Sequence, residues 1–127
     1  MEVFMKLHTI QLGKWRKAKK LGIELVDVTL KSGDTRFSPD KETLYTYKGS
    51  KQIVDDQAVY CVRFRDLMNK SYRENPEAWE EMCRKEEVAI ACYCAPGAFC
   101  HRVILVEYFE KVCKKLGIPF EYMGEIT

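Results

Sequence analysis

Three cysteines, a histidine and an arginine fall within one run of eleven residues, Cys92-Tyr93-Cys94-Ala95-Pro96-Gly97-Ala98-Phe99-Cys100-His101-Arg102. A thiolate is a strong nucleophile and a soft metal ligand. An imidazole moves protons near neutral pH, and a guanidinium pairs with phosphate or carboxylate through two hydrogen bonds. The apolar run Val88 to Ala91 leads into the segment, and a helical pattern starts at or just after Cys100. That order predicts a strand, a tight loop and a helix N-terminus. Backbone N–H groups at such a junction point outward and favour anions.

Three chemistries compete for these residues. In the first, the junction holds an anion or a nucleotide. Small side chains and Gly97 let the backbone come close to a ligand. Arg102 in the first helical turn would grip a phosphate, with Phe99 closing the loop. The second is nucleophilic catalysis. A thiol at a helix N-terminus beside His101 and Arg102 is expected to ionise readily. Cys100 or Cys94 would then attack, with His101 as acid–base partner. The spacing departs from that of cysteine-based phosphatases, which use a cysteine, five residues and an arginine. The third is a metal site, since Cys92, Cys94, Cys100 and His101 form a plausible zinc set by type. Their spacing is unlike paired two-residue knuckles. Cys61, Cys83 and Cys113 lie in helical patterns and read as buried small hydrophobes.

The elements that must position this loop can be read in outline. Leu7 to Leu12 alternates partly and predicts a first strand. Lys14 to Lys20 predicts a short helix closed by Gly22. Ile23 to Val28 is β-rich and apolar, which predicts a buried second strand. Thr29 to Gly33 leaves it as a loop, so Lys31, Ser32 and Gly33 would face the cysteine loop. Asp27, at the end of that apolar strand, either forms a structural pair with Arg102 or has a catalytic role. Asp34 to Asp56 reads as a long excursion, a lid or binding loop, with Thr43 to Tyr47 as a short strand or turn of helix. There, Tyr45, Tyr47 and Lys48 could cover a base or sugar ring. Tyr60, Phe64, Leu67 and Met68 recur at helical spacing to about Arg73. Asn75-Pro76-Glu77 restarts a helix, with Trp79, Met82 and Cys83 inward. Glu87 to Cys94 predicts a strand, Cys100 to Lys115 a helix ended by Gly117, and Ile118 to Tyr122 a last strand.

Strands alternating with helices predict a single α/β domain over residues 1–127, a three-layer sandwich with a mostly parallel central sheet. In such sheets ligands sit beyond the carboxyl ends of the strands. The loops Thr29 to Gly33 and Cys94 to Phe99 both leave such ends, so a site between them is expected.

Bulk properties exclude some classes. The net charge is +2, too small to argue for a nucleic-acid or membrane partner. The basic cluster Lys14 to Lys20 reads as a solvated helix face. No apolar run approaches the ~20 residues of a membrane span. The N-terminus from Met1 to Lys6 lacks the zones of a signal peptide. A cytoplasmic protein is expected, with its six cysteines reduced rather than paired.

Several of these segments resemble the family catalogued as domain of unknown function 488. Gly22-Ile23-Glu24-Leu25-Val26-Asp27-Val28 looks like its early strand ending in an aspartate. Lys31-Ser32-Gly33 looks like the turn of a phage-type branch, and Asn75-Pro76-Glu77-Ala78-Trp79 resembles the helix before the last main strand. Cys92-Tyr93-Cys94 through Cys100-His101-Arg102 is the most specific part, since a Cys-His-Arg ending marks the family. The likeness runs from about Leu7 to Gly117. Many members carry arginine after the aspartate–valine pair, where this chain has Thr29. The resemblance implies an α/β sandwich whose Cys-His-Arg segment opens a helix. It also implies a role in phage–host conflict or nucleotide metabolism, but no particular activity.

The leading expectation is therefore an anionic ligand, nucleotide-like, at the junction from Cys94 to Arg102. Cys100, His101, Cys94 and Asp27 are the catalytic candidates for hydrolysis or glycosyl transfer. Arg102, Lys31, Ser32, Gly33, Gly97, Phe99 and Tyr47 are the binding candidates. No cofactor is required by this reading. The alternatives are a structural zinc protein acting through protein contacts, and a phage protein interfering with host nucleotide signalling.

Overall fold

The computed structural model describes residues 4–95 and 97–127. The signal-peptide reading at Met1 to Val3, and Pro96 of the cysteine loop, lie outside the described residues. Four strands, β1 (Met5–Gln11), β2 (Glu24–Asp27), β3 (Glu87–Cys92) and β4 (Phe120–Ile126), form one sheet in the order β2-β3-β1-β4. Every pairing is parallel. Five α-helices accompany them: α1 (Trp15–Leu21), α2 (Lys41–Lys48), α3 (Val54–Glu74), α4 (Pro76–Cys83) and α5 (His101–Leu116).

The strand order follows from the handedness of parallel crossovers. The connection from β1 to β2 runs one way along the sheet. Those from β2 to β3 and from β3 to β4 run the other way. Right-handed crossovers in opposite directions place their helices on opposite faces. Thus α1 covers one face, and the helices of the other two crossovers cover the second. The result is the expected three-layer α/β sandwich. The neighbours β1 and β3 send the chain to opposite faces, and a crevice opens at their carboxyl ends, where ligands bind in such sheets. Gln11 and Cys92 are register partners at that point.

The two faces differ in depth. On the broad face Met5, Leu7, Val88 and Ile90 pack against Phe64, Met68, Trp79, Leu105 and Phe109, all buried. Burying each large apolar side chain contributes roughly 1.5–3 kcal/mol. The buried Trp79 indole N–H donates to Ser71 Oγ at 3.1 Å, and that hydroxyl donates to the Arg36 carbonyl at 2.6 Å. On the thin face Ala89 and Ala91 let the short α1 come close, with Ala18, Ile10 and Ile23 filling the contact.

Two sequence expectations need correction. The stretch 34–56 is not an open loop. It holds a 3-10 turn (Thr35–Phe37) and α2, whose Asp40 side chain accepts the Thr43 N–H at 2.8 Å. Tyr47 therefore belongs to a packed helix, with its ring 5.4 Å from Tyr60 and 5.3 Å from Phe99. α2 is only eight residues long, too short for a periodicity reading to fix. Cys61, expected in the core, is half-buried. Among the described residues no helix is long and apolar enough to cross a membrane.

Candidate functional site

β3 ends at Cys92, the chain turns through residues 93–100, and α5 begins at His101. Gly97, at φ +80°, lies in that turn, which the Ala98 N–H to Ala95 carbonyl bond closes at 3.1 Å. Cys100 is the extended residue preceding the first helical one. These local choices bring the sulfurs of Cys92, Cys94 and Cys100 within 4.8 Å of one another. Cys92 and Cys100 are buried and Cys94 is half-buried.

Arg102 binds this cluster from beneath. Its Nη1 donates to Cys92 Sγ at 2.6 Å and to the Cys94 carbonyl at 2.9 Å, and lies 3.7 Å from Cys100 Sγ. Its Nη2 and Nε pair with the Glu125 carboxylate at 2.9 and 3.2 Å. The side chain is 2% exposed. It bridges β3 and β4 across the end of β1, and burial of its charge is offset by Glu125 and the cysteine sulfurs. The expected grip of Arg102 on a ligand phosphate is corrected accordingly, because its donors are directed inward. The expected pairing of Asp27 with Arg102 is also corrected, since Glu125 takes that place.

The cluster shares its protons unequally. Cys94 is driven well below the usual thiol range, because its thiolate accepts from Cys100 and Cys92, with the Arg102 charge adding to the effect. Cys100 is driven up by the same contacts with Cys92 and Cys94 and by burial. Cys92 is pulled down by Cys100 but raised more by Cys94 and burial. The least buried sulfur thus carries the negative charge.

His101 is buried, with Nε2 2.8 Å from the Val28 carbonyl. A carbonyl only accepts, so Nε2 carries the proton and Nδ1 has a free lone pair. That lone pair faces Cys100 Sγ at 3.7 Å. Burial pushes the imidazole below its ordinary value, so it sits neutral behind the cluster.

The loop after β2 forms the opposite wall. The Asp27 carboxylate accepts the Thr29 N–H at 2.9 Å, the Thr29 hydroxyl at 2.7 Å and the Ser32 hydroxyl at 2.5 Å. Because Ser32 donates to Asp27, its oxygen is free to accept, and the Tyr93 hydroxyl lies 2.8 Å away. Tyr93 therefore donates to Ser32, and the chain Tyr93–Ser32–Asp27 ties the two loops together. Gly33 allows this turn, since a β-carbon there would overlap the Asp27 carbonyl and Oδ1. Lys31 is exposed on the same loop.

A family model described as the active DUF488-N3 subclade matches residues 11–112 of this chain. The chain belongs to the DUF488 family. No curated protein and no solved structure matches it.

In this DUF488 domain the two expected loops do meet, through Ser32 and Tyr93. Cys94, Cys100 and His101 come together, while Asp27 stands apart from them and organises the facing loop. Phe99 packs its ring 5.4 Å from Tyr60 and, with Tyr47, seals the side of the cysteine loop. Sequence reading missed Tyr93, Glu125 and Tyr60. Tyr93 was visible inside the motif. Glu125 gave no signal, because its role depends on the neighbouring position of β4.

Proposed function

We propose that this DUF488 domain is an enzyme that acts on an anionic, nucleotide-like small molecule through a Cys94 thiolate. The observation that carries the reading is the Cys92–Cys94–Cys100 cluster above Arg102, at the carboxyl end of β3 beside the sheet's switch point. Lowered thiol pKa and partial exposure are what a cysteine nucleophile needs. The family description of the matched subclade as active fits the same reading.

In this scheme the Cys94 sulfur displaces a leaving group from the ligand, and water then displaces the sulfur, giving net hydrolysis. A second acceptor in place of water gives group transfer, such as glycosyl transfer. Arg102 stabilises the charged cluster from inside rather than touching the ligand. His101 holds Cys100 and the end of β2. Lys31 supplies an exposed cation for the ligand's anionic end, and Gly97 lets the ligand approach the backbone. The Tyr93 hydroxyl at the rim holds the facing loop through Ser32.

The test is product analysis after incubation with a panel of nucleotides and sugar phosphates. Turnover of one class, abolished in Cys94→Ser, supports the reading. Turnover that persists in Cys94→Ser sinks it.

A zinc centre is the second reading, favoured by one specific geometry. Zinc–sulfur bonds near 2.3 Å and zinc–nitrogen bonds near 2.0–2.1 Å in a tetrahedron give sulfur–nitrogen edges of about 3.6 Å. The Cys100 Sγ to His101 Nδ1 separation is 3.7 Å, but the group of ligand atoms within 4.8 Å of one another holds the three sulfurs alone, so His101 would have to shift to complete the set. The His101 Nε2–H bond to Val28 is the backing that metal-bound histidines use. About one zinc per chain in purified protein, with loss of fold on chelation, decides for this reading. A metal-free, folded chain decides against it.

A further inference from the structure

α2 and α3 enclose a cleft of about 210 Å3, lined by Thr43, Tyr47, Ser50, Asp56, Tyr60 and Arg63 among others. The cleft opens to solvent on one side and is of a size to admit a heterocycle and part of a sugar. Its most telling group is Arg63. Its Nη1 is buried and has no hydrogen-bond partner among the described residues. The Glu42 carboxylate lies 3.8 Å away, too far for a hydrogen bond. The side chain as a whole is 41% exposed, and leaving its one buried donor unmatched is unfavourable. An acceptor brought by a ligand recovers that loss.

The cleft also offers an acceptor. Asp56 stands two helical turns before Arg63 on the same stripe of α3, with Tyr60 between them. Its Oδ2 accepts the Ile53 N–H at 3.1 Å, which leaves Oδ1 for a ligand hydroxyl. Hydroxyls of Thr43, Thr46 and Ser50 add neutral polar contacts. Asp56 and Glu42 disfavour a second negative charge, so a phosphate does not suit this cleft. A neutral ligand with a ring, hydrogen-bond acceptors and a diol does.

We infer that this cleft is a nucleoside site: Arg63 takes an acceptor on the base, the Tyr47 ring lies against it, and Asp56 takes the ribose hydroxyls. The inference rests on the nucleotide-like reading for its ligand class, and not on the cysteine chemistry. Tyr47 and Tyr60 pack on Phe99 at 5.3 and 5.4 Å, so occupancy is transmitted to the cysteine loop.

The test is titration of the full chain with adenosine, guanosine, cytidine, uridine and ribose, followed by amide NMR shifts. At least one nucleoside should shift Thr43, Tyr47 and Arg63, with a smaller response at Phe99, while ribose alone binds far more weakly. Arg63→Gln should weaken binding at least tenfold. Val59→Trp, at a half-exposed position lining the cleft, should block it sterically. Both variants should keep the wild-type circular dichroism spectrum. Binding retained in Cys94→Ser, where turnover is lost, supports the cleft independently of the chemistry. If no nucleoside binds, or if binding survives both Arg63→Gln and Val59→Trp, the inference is overturned.

Discussion

The Arg102 guanidinium lies 2.6 Å from the Cys92 sulfur, while its far edge is held by Glu125 at 2.9 and 3.2 Å. A buried cation is thereby shared between a carboxylate on β4 and the sulfur cluster on β3. Removing one member of such a pair strands a charge. Arg102→Ala should therefore destabilise the fold by about 3–5 kcal/mol, measured by urea denaturation. Glu125→Gln should cost less, because Glu125 is 21% exposed and its amide still accepts a hydrogen bond. A small effect of Arg102→Ala would remove the structural role given to this residue.

Cys94 should react as a thiolate at mildly acid pH. An ordinary thiol, with a value of about 8.5, loses roughly a hundredfold in alkylation rate between pH 8 and pH 6. The rate for Cys94 should change only slightly over that range, because Cys100, Cys92 and Arg102 hold its proton affinity down. Cys94→Ser should abolish this fast phase with iodoacetamide. Cys100→Ala and Cys92→Ala should restore a steep pH dependence, since each removes a thiol donor to Cys94.

The legibility of this chain varied with the range of the interactions. β1 to β3 and α3 to α5 follow from periodicity and from local end signals, whereas β4 runs four residues past the expected end at Tyr122. Gly22 and Gly117 end α1 and α5 as expected, both at φ +72°. The strand–loop–helix junction was equally visible, because its residues are sequence neighbours. The direction of Arg102 was not. Its partner Glu125 is 23 positions away and comes close only because β4 crosses beside β1. The packing of Tyr47 was undecided in the sequence for a related reason: α2 is only eight residues long, and its contact with Tyr60 and Phe99 is a tertiary one that no local pattern announces.

Gly33 should tolerate no side chain. A β-carbon there overlaps the backbone carbonyl of Asp27, which cannot yield as a flexible side chain would. Gly33→Ala should cost about 1–3 kcal/mol or more and loosen the Ser32–Tyr93 contact. Gly13→Ala is the matched control, because its added carbon meets nothing within 4 Å. Equal midpoints for the two variants in chemical denaturation would show that the loop after β2 is not held as tightly as these contacts require.

The last expectation concerns acid. His101 is buried and neutral, with Nε2–H bonded to Val28 and burial pushing its proton affinity down. In the unfolded chain the same imidazole titrates near about 6.5. Between the depressed folded value and about 6.5, the unfolded state binds more protons, so stability rises with pH and falls on acidification. The slope contributed by this one group approaches about 1.4 kcal/mol per pH unit in that window. Thermal melting from pH 7.5 to 5 should show the decline. In His101→Gln an amide replaces the imidazole, donating to Val28 and accepting from Cys100 without titrating. That variant should start less stable at pH 7.5 but show a flatter profile. An unchanged slope in His101→Gln would assign the acid sensitivity to other groups and leave the buried imidazole without this role.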